Sequence, residues 1–323
     1  MLEIYACRNT DEMIRKISSS GGIYYLLAES VLRQGGLVYA ACYNDNLDVE
    51  HRCIDNIEDL KKSCGSKYVQ SDIRGIFQDI RDRLEENILI LFVGTPCQAA
   101  GLINYIGNKP ENLVCVDFVC HGVPSQKEWS RYKESLKRRG FQIADVNMRD
   151  KSRGWKNSTY CWRLTDSRGN IRYEKRIDNV YMQGLIHNVY LTKGCYNCQF
   201  KGFDRPADFT LGDFWGIEYL YPEMDDNRGT SLLMIHTEKG CEIFDHLKSK
   251  MVYWKITKED AISYNKSIIY GVGIPAERDI YYGKMEKGED FIQVVSSFNR
   301  KWKSVEILRT QKRHLKNWIR KGR

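Results

Sequence analysis

Two apolar runs, each closed by a cysteine-bearing loop and then a helical pattern, constrain this 323-residue chain more than any other feature in it. Residues 88–93 read ILILFV and lead into GTPCQAAG. Residues 113–119 read LVCVDFV and lead into CHGVPS and the helical pattern KEWSRYKESLKRR, with Ser125 at its N-cap position. Short runs without polar alternation are strands covered on both faces. Helices that follow such strands cross back over a sheet with parallel neighbours. Cys97 and Cys120 then lie just beyond the carboxyl ends of two strands, the edge where open α/β sheets bind ligands.

The surrounding pattern agrees. Residues 22–34 place Ile23, Leu26, Leu27 and Val31 on one helical face, Gly35-Gly36 stops the helix, and LVYAACY follows as a strand. Residues 72–86 repeat the helical spacing through Ile73, Ile76, Phe77, Ile80 and Leu84. Past residue 140 the pattern changes. YCWRLT and IRYEKR flank DSRGN and predict a hairpin. Residues 190–216, rich in Gly, Cys and aromatics, read as a structured loop region, and residues 231–236 read as a strand followed by a helix. The expected fold is α/β (α+β): a mixed, partly parallel sheet flanked by helices, with a Cys-rich loop region and a C-terminal helical tail.

Charge and cysteine content narrow the function classes. The net charge of +8 is concentrated in residues 300–323, which carry ten Lys or Arg and one acid, Glu306. The other 299 residues hold 40 basic and 41 acidic groups, so the body is nearly neutral, which argues against a nucleic-acid-binding protein. In the tail, Trp302, Val305, Leu308, Leu315 and Ile319 would line one helix face, a pattern that suits packing on the body or contact with a membrane surface. No apolar run reaches the roughly 18 residues of a membrane span, and the polar N-terminus does not read as a signal peptide. A cytoplasmic protein is expected. Its eleven cysteines are then buried apolar residues or a metal site rather than disulfides.

Four cysteines have the setting of ligands: Cys97, Cys120, and the CxxC pair Cys195 and Cys198 in KGCYNCQFKG. Four thiolates suit a 4Fe–4S cluster or a four-cysteine zinc site, and spacing alone does not separate the two. A lone CxxC also suits a redox dithiol. Cys42 and Cys115 read as core residues within strands.

Several loops suit a phosphate-bearing cofactor. SSSGG, with Ser19, Ser20, Gly21 and Gly22, runs straight into the first predicted helix, whose free N–H groups favour an anion. GSKY, with Gly65, Ser66, Lys67 and Tyr68, combines donors, a cation and an aromatic ring. Thr95, Pro96 and Gln98 flank Cys97. RDKSRGW contributes Arg149 and Lys151 as candidate anion contacts. His121, Lys67 and Asp213 are the candidate catalytic groups, although a loop-capping Asp and a structural His are the commoner roles for such residues.

SSSGG, GSKYVQSD, GTPCQAAGL, VDFVCHGVPS, RDKSRGW, GCYNCQFKG and DFTLGDFWGIE occur in the order seen in the coenzyme F420 hydrogenase/dehydrogenase beta-subunit family, which residues 14–245 resemble. The resemblance implies an FAD-binding region over residues 1–86, a family domain with an iron–sulfur site over 87–248, and a helical extension with a basic tail over 249–323. It implies FAD and a 4Fe–4S cluster as cofactors, with Cys97, Cys120, Cys195 and Cys198 matching the cluster cysteines. Many bacterial members begin with a ferredoxin-like CxxCxxCxxxCP segment that this sequence lacks. A separate ferredoxin or electron-transfer subunit is therefore an expected partner. The small-molecule substrate would be an F420-like deazaflavin or a sugar intermediate of polysaccharide assembly. A zinc-stabilised accessory protein using the same four cysteines is the alternative.

Overall fold

The computed structural model describes residues 2–156, 158–299 and 302. The first half contains β1 (Glu3–Asn9), α1 (Glu12–Ile17), α2 (Ile23–Arg33), β2 (Leu37–Tyr43), β3 (Val49–Ile54), α3 (Ile57–Ser63), α4 (Ile76–Glu85), β4 (Ile90–Val93), α5 (Pro96–Ile106), β5 (Leu113–Phe118) and α6 (Gln126–Arg138). The second half adds β6 (Ile143–Asp150), β7 (Cys161–Asp166), β8 (Ile171–Lys175), α7 (Val180–Ile186), β9 (Phe209–Asp213), α8 (Ile217–Leu220), β10 (Ser231–Ile235), α9 (Glu238–Leu247), β11 (Met251–Lys255), α10 (Lys258–Ser263) and α11 (Glu277–Glu286).

Eight strands form one sheet in the order β11-β1-β10-β9-β5-β4-β2-β3. Its centre is parallel, β2 to β4 to β5 to β9, and both flanks are antiparallel. The parallel strands are covered on both faces, as their unbroken apolar runs require. On one face Ile23, Leu26, Leu27 and Val31 of α2 pack against Val38, Val114, Val116 and Leu233. On the other, Ile80 of α4 and Ala99 and Leu102 of α5 pack against Ile90, Phe92, Leu113 and Cys115. Each large apolar side chain buried in this way contributes roughly 1.5–3 kcal/mol.

The predicted hairpin is β7–β8, and with β6 it makes a second, three-stranded antiparallel sheet. Beneath it lies an aromatic core containing Trp129, Tyr132, Trp162, Tyr181, Tyr190, Tyr281 and Phe291. Cys42 and Cys115 are buried, as expected of core residues.

Three local expectations are corrected. Residues 190–216 are not all loop, because β9 lies within them between β5 and β10. The helix expected from residue 72 starts at Ile76, after Gly75 in the left-handed region at φ 78°. Cys97 occupies the first turn of α5, behind Pro96, rather than a loop. Of the tail, Trp302 is buried and stacks on His187 with ring centroids 4.4 Å apart. Val305, Leu308, Leu315 and Ile319 lie outside the described residues. Among the described residues no helix is long and apolar enough to cross a membrane.

Candidate functional site

The parallel register delivers the carboxyl ends of β4, β5 and β9 to one rim of the sheet. There β4 opens into Thr95 and Cys97, β5 into Cys120 and His121, and β9 ends in Asp213. Strand β1 arrives on the same rim, since Cys7 pairs with Ser231 and Ser231 with Asp213. The loop that returns from β1 through α1 carries Ser19, Ser20, Gly21 and Gly22. Arg149, near the end of β6, closes the site from the second sheet.

These elements enclose a cavity of about 490 Å³, lined by Ser19, Ser20, Gly22, Gly65, Ser66, Lys67, Tyr68, Thr95, Cys97, Gln98, Cys120, His121, Arg149 and Asp213. Cofactor and ligand pockets span roughly 300–1,000 Å³. Gly21, Pro96, Lys151, Cys195 and Cys198, all candidates for the site, are not part of this lining.

The serine loop is built to leave one helix end open. Ser18 Oγ donates to the Ile14 carbonyl (2.8 Å), Ser20 Oγ to the Thr230 carbonyl (2.9 Å), and the Gly21 N–H to Ser231 Oγ (2.9 Å). A Cβ on Gly21 would lie 2.5 Å from the Cys7 carbonyl oxygen, so only glycine permits this approach. Gly22, at φ 83°, starts α2 without a side-chain cap, and the first N–H groups of an eleven-residue helix face the rim unpaired by any cap. The start of α5 differs: Gln98 accepts from the Thr95 N–H (2.9 Å) and donates to Ser71 Oγ (2.9 Å), closing a capping box.

The charged candidates have defined partners. Arg149 is 4 % exposed, donates to Asp213 at 3.0 and 3.3 Å, and lies over the rings of Tyr160 (4.2 Å) and Trp215 (4.9 Å). Burial opposes its charge, but Asp213 outweighs that cost and raises its pKa. Asp213 also accepts from Trp155 Nε1 at 3.2 Å, so its carboxylate is the counter-ion of Arg149. Lys67 Nζ donates to the carbonyls of Ser63 (2.8 Å), Gly65 (3.2 Å) and Cys64 (3.4 Å) at the carboxyl end of α3, and burial lowers its pKa. Lys151 braces the serine loop through the Ser20 and Arg228 carbonyls, both at 2.8 Å. Burial, then Arg15 and Arg149, push it down to about 7. His121 pairs with Asn188 Oδ1 at 2.7 Å and is shifted towards the neutral form by burial.

The loop after Cys120 and the CxxC turn are fastened to each other: the Thr192 N–H donates to the Val123 carbonyl (2.8 Å) and Pro124 bridges Leu191. A Cβ on Gly122 would fall 3.7 Å from the Cys195 sulfur. An ionised thiol at Cys195 or Cys97 would disfavour ionisation of Cys120, and one at Cys97 or Cys198 would do the same to Cys195. The Gly122 and Val123 N–H groups point at the sulfurs of Cys120 and Cys195. Burial nonetheless pushes the Cys120 thiol up to about 12, so a thiolate there needs a cationic centre beside it. Among the described residues no three His, Cys, Asp or Glu groups are gathered to hold a single metal ion.

Three further residues were not singled out individually in the sequence. Lys201 donates to the carbonyls of Cys120 (2.5 Å) and Ser267 (3.0 Å), within the field of Cys120, Cys198 and Cys195. Trp215 stacks on Trp155 at 4.9 Å and lines the cavity. His51 also lines it, with Nε2 2.9 Å from the Val93 carbonyl, and burial pushes its pKa down to about 4. Lys201 and Trp215 lie inside quoted motifs, GCYNCQFKG and DFTLGDFWGIE, whereas His51 sits on an edge strand without any motif.

Residues 88–261 match the C-terminal family of the coenzyme F420 hydrogenase/dehydrogenase beta subunit, and residues 4–77 match the corresponding N-terminal family. No curated protein matches the chain by sequence. Among solved structures, a chain of the F420-reducing NiFe hydrogenase complex from Methanosarcina barkeri shares the fold. Its TM-score is 0.53 at 18 % identity, covering 82 % of this chain and 89 % of that one.

Proposed function

This chain belongs to the coenzyme F420 hydrogenase/dehydrogenase beta-subunit family of oxidoreductases, and from that premise we propose that it is a flavin- and 4Fe–4S-dependent member. In this reading Cys97, Cys120, Cys195 and Cys198 ligate the cluster and the adjoining cavity holds FAD. The single observation that carries the reading is the shared rim: Cys97 and Cys120, from two strand ends, and an uncapped helix N-terminus border one cavity, with the CxxC turn fastened to the loop after Cys120.

The residues fit both groups. The thiols of Cys120 and Cys195, with N–H groups aimed at their sulfurs, would be stabilised as thiolates by a cationic iron centre. A single zinc ion with Zn–S bonds of about 2.3 Å would hold its sulfurs only about 3.8 Å apart. Among the described residues no three His, Cys, Asp or Glu groups are gathered for a single ion, and a 4Fe–4S cluster would be held by thiolates from all four cysteines. The open start of α2 suits a pyrophosphate, with Ser19 and Ser20 beside it.

When bound, such a flavin exchanges electrons in pairs and such a cluster exchanges them singly. The chain itself supplies the setting. Arg149, kept charged by Asp213 and sandwiched by Tyr160 and Trp215, offers a fixed cation to an electron-rich ring or phosphate. His121 sits beside Cys120 and donates its Nε2–H to Asn188 Oδ1, which leaves Nδ1 as the ring atom able to accept a proton. Lys67 orders the loop that brings Tyr68 to the cavity. The outside partners are a one-electron carrier, ferredoxin-like, and a two-electron small molecule such as a deazaflavin or a sugar intermediate of polysaccharide biosynthesis.

Anaerobic purification followed by iron, sulfide and flavin analysis tests the reading. The protein should be brown and release flavin on denaturation. Cys97→Ser and Cys198→Ser should each lose most of the iron, and Cys42→Ser should keep it. Colourless protein holding zinc, or equal iron loss in all three variants, refutes the assignment.

A further inference from the structure

We infer that His51 is a cofactor-binding residue, whose unpaired Nδ1 accepts a hydrogen bond from the N3–H of a flavin ring seated in the rim cavity. The inference rests on the flavin reading above and gives that reading a residue outside every motif of the sequence.

The His51 ring is held on every side but one. Strand β3 pairs antiparallel with β2, which sets His51 opposite Ala41, and the His51 N–H donates to the Asp72 carbonyl at 2.8 Å. The imidazole stacks on Phe92 with ring centroids 5.2 Å apart, and Nε2 lies 2.9 Å from the Val93 carbonyl. A carbonyl only accepts, so Nε2 carries the proton. The residue is 4 % exposed, and burial, with the Lys67 cation adding to it, keeps the ring neutral. A neutral imidazole protonated on Nε2 has a bare lone pair on Nδ1. That atom is buried and has no hydrogen-bond partner among the described residues. A buried acceptor left unpaired costs about 1–3 kcal/mol, and His51 borders the cavity, where a ligand can relieve that cost.

Ring chemistry selects the donor. The edge of an oxidised isoalloxazine carries carbonyl oxygens and bare nitrogens, all acceptors, and a single polar hydrogen, on N3. An atom that can only accept meets that hydrogen and none of the other groups on the edge. The walls near His51 suit a flat ring, because Ala40 and Ala41 of β2 also line the cavity and leave room beside the imidazole. Position along the cavity agrees. Val93 ends β4, which runs on into Thr95 and Cys97, so His51 is tied to the cysteine end, whereas the open start of α2 suits the pyrophosphate. Arg149 Nε is the opposite case on the same cavity, a buried donor without a partner, and it suits an oxygen of the same ligand.

The test titrates flavin-free, full-length protein with FAD and with FAD methylated on N3, followed by flavin fluorescence, in wild type, His51→Ala and His51→Asn. Wild type should bind FAD about tenfold more tightly than the methylated form, because methylation removes the donor. His51→Ala should lose about tenfold for FAD and bind both flavins alike. His51→Asn, which keeps an acceptor oxygen near the Nδ1 position, should recover part of the preference for FAD. A role confined to holding the Val93 carbonyl would lower both affinities together and leave their ratio at the wild-type value. Equal affinities in wild type overturn the assignment, and that arm needs no variant to fold. A preference that persists unchanged in His51→Ala also overturns it, since N3 then meets another group. If wild type binds neither flavin, the flavin reading itself fails and the inference falls with it.

Discussion

Asp213→Asn separates a counter-ion from a catalytic acid. In the folded chain Asp213 takes two bonds from Arg149, at 3.0 and 3.3 Å, and one from Trp155. Both side chains are largely withdrawn from water, with 2 % of the Arg149 and 19 % of the Asp213 side chain exposed. At 3.0 Å and an effective dielectric constant of about 20 the direct attraction is about 5.5 kcal/mol. Desolvation offsets much of that attraction, so the intact pair contributes little net stability. Removing one partner is different, because it strands the other charge and costs about 3–5 kcal/mol. Asparagine keeps the shape and an acceptor for Trp155, so nearly all of the loss is that of the charge. We expect Asp213→Asn to lose about 3 kcal/mol and the double variant Asp213→Asn/Arg149→Met to recover at least half of it, a coupling of about 1.5 kcal/mol or more. Urea unfolding followed by tryptophan fluorescence on all four members of the cycle measures both numbers. A single variant within about 0.5 kcal/mol of wild type would show that Arg149 does not depend on Asp213. Loss of activity without loss of stability would restore a catalytic role to the carboxyl group.

Two further outcomes are expected. Gly21→Ala places a methyl group 2.5 Å from the Cys7 carbonyl and 2.8 Å from the Ser231 nitrogen. It should cost about 1–3 kcal/mol and release flavin, whereas Gly271→Ala, with open space around it, should do neither. Asp290 lies between α6 and the helical segment at 291–299. Burial raises its pKa, but bonds from Arg139, Ser135 and the Gln293 N–H outweigh that and hold it down to about 2. Because the folded pKa is depressed, its stabilisation is present above the ordinary carboxylate value and is lost as pH falls towards about 2. Acid titration of stability should show wild type losing about 1 kcal/mol more than Asp290→Asn across that window, a figure reduced by solvent screening. Parallel acid curves for the two proteins would remove Asp290 from the account.

What the amino-acid order determined was local. The runs at 88–93 and 113–119 lack polar alternation, and that is sufficient for strands buried on both faces wherever they pair. The turn DSRGN between two alternating segments is sufficient for β7–β8. That Cys97 and Cys120 reach one rim was legible because each follows a strand end. Tertiary structure alone decided the rest. FTLGD is a weak strand signal, and it becomes β9 because β5 and β10 offer it hydrogen bonds on both sides. Lys67 and Asp213 were catalytic candidates in the sequence, with a surface lysine and a loop-capping Asp as the ordinary readings. Their partners, the α3 carbonyls and Arg149, come into range only when the chain folds, and Arg149 is 64 residues away from Asp213. Charge state follows burial and neighbours, and both are properties of the packed sheet rim rather than of any stretch of sequence. For the same reason Lys201 and His51 gave no sign of themselves until the strands that place them were paired.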